Sequence, residues 1–89
     1  NQEDHNANSW TAARHTRQII ENAMHVLAIE IFIATRAIDL RRKNSPKKLG
    51  VGTKIAYDLV RSEVPFVAED YFQQPQIEAI TSMIKDRKL

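Results

Sequence analysis

Four consecutive residues near the start of the sequence, Gln2-Glu3-Asp4-His5, place an amide, two carboxylates and an imidazole side by side. A carboxylate or imidazole held against a substrate can take or give a proton. The same groups can also supply ligands to a metal. A plainer use is the polar opening of a helix, where Glu3 and Asp4 favour the positive end of the helix dipole. Taken alone, the pentapeptide Asn1–His5 fits that plainer use.

Other candidates are weaker. Histidines fall at 5, 15 and 25. On one helix they are spaced about 15 Å apart along the axis and about 80° apart around it, so they cannot share an ion. No metal site is expected. Glu21 and His25 are one turn apart, which suggests an ion pair or hydrogen bond on a packed helix. Glu30 lies inside an apolar run and is expected to meet a cation or hydrogen-bond donor from a neighbouring element, because an unpaired buried charge is costly. No serine–histidine–acid order, glycine-rich phosphate loop or HExxH is present.

These residues must be positioned by helices. From Thr11 to Arg42 there is neither glycine nor proline, which predicts one long helix over about 10–42 with Ser9 as its N-cap. Asn44-Ser45-Pro46 ends it, and Arg41, Arg42 and Lys43 suit the negative end of its dipole. After a connector over 43–52, a second helix is expected at 53–63, with Ile55, Leu59 and Val60 on one side and Pro65 closing it. A third fits 75–87, with Pro75 at its first position and Ile77, Ile80 and Ile84 at helical spacing. A short helical turn could fill part of 67–74. The fold class is all-α.

Between Ala23 and Ala34, ten of twelve residues are apolar and no polar face exists. A helix apolar all round must be covered all round. The run is shorter than the roughly 20 residues a membrane span needs, so no membrane partner is expected. The two short helices can shield one side of it. The other side calls for more protein, from further chain, from other subunits, or from both.

The totals agree with part of something larger. The chain has 89 residues, 43% hydrophobic and 27% charged, and its first residue is asparagine. It is expected to be a piece of a longer protein. With no cysteine there can be no disulfide framework or thiolate zinc site. The opening residues lack a signal-peptide layout, and a cytoplasmic protein is expected. The net charge of +2 hides six bases and no acid over residues 41–54. That connector, which includes RRKNSPKK, reads as a solvated loop. It lacks the interleaved aromatics that stack bases, so nucleic acid is not an expected partner.

With its neighbours, NQEDH carries more. It is followed by AAR at 12–14, QIIEN at 18–22, VLAIE at 26–30 and AIDLR at 37–41, then GTKIAYDLVRSEVPF at 52–66 and DYFQQPQIEAI at 70–80. Together these resemble the C-terminal part of the histidine ammonia-lyase family over essentially the whole chain. The resemblance implies an all-α homotetramer that converts L-histidine to trans-urocanate and ammonia. Its electrophile is a methylideneimidazolone ring (MIO) formed from an internal Ala-Ser-Gly. It implies that Glu3 lies near the substrate imidazole as a catalytic and substrate-binding residue, that Gln2 shapes the same wall, and that Asp4 and His5 support it.

The assignment of Glu3 has a chemical rationale. Phenylalanine and tyrosine relatives typically carry glutamine there, and a carboxylate pairs with an imidazole N–H but not with an apolar ring. Two departures stand out. Asn6-Ala7-Asn8-Ser9 replaces a stretch that often reads Val-Ser-Met-Gly, and the chain has no Ala-Ser-Gly. The family's tyrosine base and carboxylate-binding arginine also lie in parts outside these residues, so neither Tyr57 nor Tyr71 is expected to be that base. Alternatives are a phenylalanine or tyrosine ammonia-lyase or aminomutase, and a free-standing helical module that binds other macromolecules.

Overall fold

The computed structural model describes residues 2–44, 48–66 and 73–89, with side chains from Ser9 onward. Among the described residues there are three helices: α1, Gln2–Asn44; α2, Val51–Glu63; and α3, Gln74–Lys85. There is no strand among the described residues. At about 1.5 Å per residue, the 43 residues of α1 account for the 65 Å long axis of the molecule.

α1 begins well before the expected boundary and runs through Ser9 without a break, so Ser9 is not an N-cap. The polar stretch 2–9 contains no glycine or proline to interrupt it. The basic residues Arg41, Arg42 and Lys43 do occupy its last turn. α2 starts two residues earlier than expected and takes in Gly52. Its N-cap is Gly50, whose carbonyl accepts from Lys54 N–H at 2.8 Å. At its other end, Val64 N–H donates to Val60 O at 2.8 Å before Pro65 turns the chain away.

α3 stops at Lys85, short of the expected Arg87. Lys88 N–H reaches back to Met83 O at 2.9 Å, and Arg87 takes a left-handed φ of 57°. This is the helix-ending arrangement that glycine usually supplies, here adopted by arginine.

α3 packs along the middle of α1. Ala28 and Phe32 of α1, Val60 and Val64 at the end of α2, and Ile80 of α3 form the buried cluster, flanked by Ile31, Ile77, Ala79 and Ile84. Ala28 is fully buried, and its small side chain leaves room for α3. Thr35 is buried beside them and satisfies its hydroxyl on Ile31 O at 2.6 Å. Of the stripe expected on α2, Val60 is buried and Leu59 half-buried, but Ile55 is 64% exposed.

The apolar run of α1 is therefore covered on one side. Ala28 and Phe32 are buried, whereas Val26, Leu27 and Ile33 remain about half exposed. Glu30 is exposed and makes no ion pair among the described residues. Glu21 likewise does not pair with His25. It lies 3.8 Å from Arg17, a long contact between exposed groups that contributes little. No helix among the described residues is long and apolar enough to cross a membrane.

Candidate functional site

Gln2, Glu3, Asp4 and His5 form the first turn of α1. They lie on helical backbone, and their side chains fall outside the described part of the structure. Helical register sets Glu3 in line with Trp10, seven residues on, which is 67% exposed.

At the far end of α1 the structure assembles a polar cluster that pattern reading did not single out. Asp39 lies 36 positions beyond Glu3, or about 54 Å along the helix. Its Oδ2 accepts from Arg61 Nε at 2.8 Å and also from the adjacent guanidinium NH2 group. Its Oδ1 accepts from the hydroxyl of Tyr57. Arg61 donates as well to Val64 O at 2.7 Å. Its guanidinium lies against two rings, 5.8 Å from the centre of Tyr57 and 5.7 Å from that of Phe66. Arg42 stacks on Tyr57 and Arg36 on Phe66 at similar distances.

Only 13–15% of the Asp39 and Arg61 side chains reaches solvent, so each charge depends on the other. The hydrogen bond to Asp39, then burial, raises the pKa of Tyr57 above its ordinary value. A phenol held protonated in this way is a donor and a poor base, so Tyr57 serves the helix junction. Tyr71 lies outside the described residues. One signal for the cluster was present in sequence, since Tyr57 and Arg61 share a face of α2 one turn apart. Their partner, 18 and 22 positions away, could not be read.

The connector adds a shallow pocket of about 300 Å³ lined by Arg42, Lys48, Leu49, Lys54 and Asp58. Lys54 is bound to Asp58 at 2.7 Å, and Lys43 and Lys48 are exposed. Ser45, Pro46 and Lys47 fall outside the described residues.

Residues 1–62 match the family model for aromatic amino acid lyase. The chain belongs to that family. Over its full length this family member is 41% identical to a histidine ammonia-lyase of Chloroflexus aurantiacus and 42% identical to one of Natranaerobius thermophilus, spanning 17% of each. Over 79% of its length it is 46% identical to a histidine ammonia-lyase of Streptococcus pyogenes, of which the match covers 13%. The chain thus spans about a sixth of the length of these relatives. No solved structure matches it. The lyase family match includes NQEDH, all of α1, the connector and most of α2, so Asp39, Tyr57 and Arg61 all lie within it.

Proposed function

We propose that this chain is the C-terminal part of a histidine ammonia-lyase, which deaminates L-histidine to trans-urocanate and ammonia. The observation that carries this reading is the match to histidine ammonia-lyases across all 89 residues. In the complete enzyme Glu3 faces the substrate imidazole, where its carboxylate accepts from a ring N–H and stabilises positive charge on the ring. Gln2 shapes the same polar wall. Asp4 and His5 hold the first turn of α1 in place. The partners are the rest of the same chain and identical subunits, in a cytoplasmic homotetramer.

The family's MIO ring supplies the electrophile that activates loss of the amine. These 89 residues contain no Ala-Ser-Gly and so cannot form it. The part played by this chain is substrate recognition and scaffold, and alone it is inactive.

The family also takes in lyases for other aromatic amino acids, and Glu3 separates the two readings. The test is product formation by the full-length protein offered histidine, phenylalanine and tyrosine in turn. Urocanate from histidine, with little cinnamate or coumarate, is the expected result. Preferential release of cinnamate or coumarate overturns the assignment to histidine.

A further inference from the structure

We draw no further inference here: the strongest candidate, the shallow cationic pocket that Arg42, Lys48 and Lys54 line between the end of α1 and the start of α2, rests on exposed side chains, and nothing in the structure shows whether a free anion or the rest of the polypeptide fills it.

Discussion

Arg61 of α2 holds Asp39 of α1 through two nitrogens on one carboxylate oxygen, and leaves the other oxygen to Tyr57. The pair joins α2 to the C-terminal part of α1, beside Val60 and Val64 of the apolar cluster. Removing one member strands the other's charge with little solvent to replace it. Asp39→Ala should therefore lower stability by about 3 kcal/mol, close to the cost of breaking a buried ion pair. Chemical denaturation of the wild type and the variant measures the difference. A loss within about 0.5 kcal/mol, the usual range for surface changes, would show that the junction is not held by this pair.

Tyr57 gives the junction a pH signature. Its pKa is raised, first by the hydrogen bond to Asp39 and then by burial, so the folded chain holds the phenol proton more tightly than the unfolded chain. The stability this contributes is complete below the ordinary value of about 10 and is lost as pH rises through the higher folded value. In a Tyr71→Phe background, tyrosinate absorbance should titrate above that ordinary value. Adding Asp39→Asn should bring the midpoint down. An unshifted midpoint with Asp39 intact would remove the hydrogen bond from the account.

Much of this architecture was legible because it is local. The absence of glycine and proline from α1, the proline at the start of α3 and the isoleucine spacing of α3 all act within a few turns. Boundaries were less legible. Ser9 has the chemistry of a cap, but the helix continues through it because nothing upstream opposes helix. Arg87 ends α3 in a conformation that its side chain does not advertise. The Asp39–Tyr57–Arg61 cluster depends on where two helices meet, and no periodicity encodes that. Glu30 is exposed on a part of α1 that α3 leaves open, and the partner expected for it is not supplied by the described residues. An apolar run implies burial, whereas the structure buries only the face that α3 covers. For NQEDH, composition pointed no further than a polar helix start, and the role given to Glu3 came from the resemblance.

The connector should tolerate loss of charge. Lys43 and Lys48 are exposed, with no ion pair among the described residues. Changing Lys43, Lys47 and Lys48 together to glutamine in the full-length enzyme should alter stability by no more than about 0.5 kcal/mol per site. Turnover and assembly should stay near wild type, as followed by urocanate formation and sedimentation. A large fall in either would reveal a partner for the loop.

The role of Glu3 admits the sharpest test. Glu3→Gln keeps the shape of the side chain and removes its charge, so MIO formation and assembly in the complete enzyme should survive. An interaction made in the transition state is lost, and kcat and kcat/KM should fall together, by about 10²–10⁴-fold if Glu3 works as an acid–base group. Glu3→Ala should be at least as harmful. Glu21→Ala is the control, because Glu21 lies 18 positions or about 27 Å further along α1 and is exposed. It should leave turnover close to wild type. The measurement is urocanate production from histidine, with the MIO ring followed by its ultraviolet absorbance, so that a defect in forming the electrophile is separated from a defect in using it. Near-native turnover by Glu3→Gln would return Gln2–His5 to the plainer role of a polar helix start.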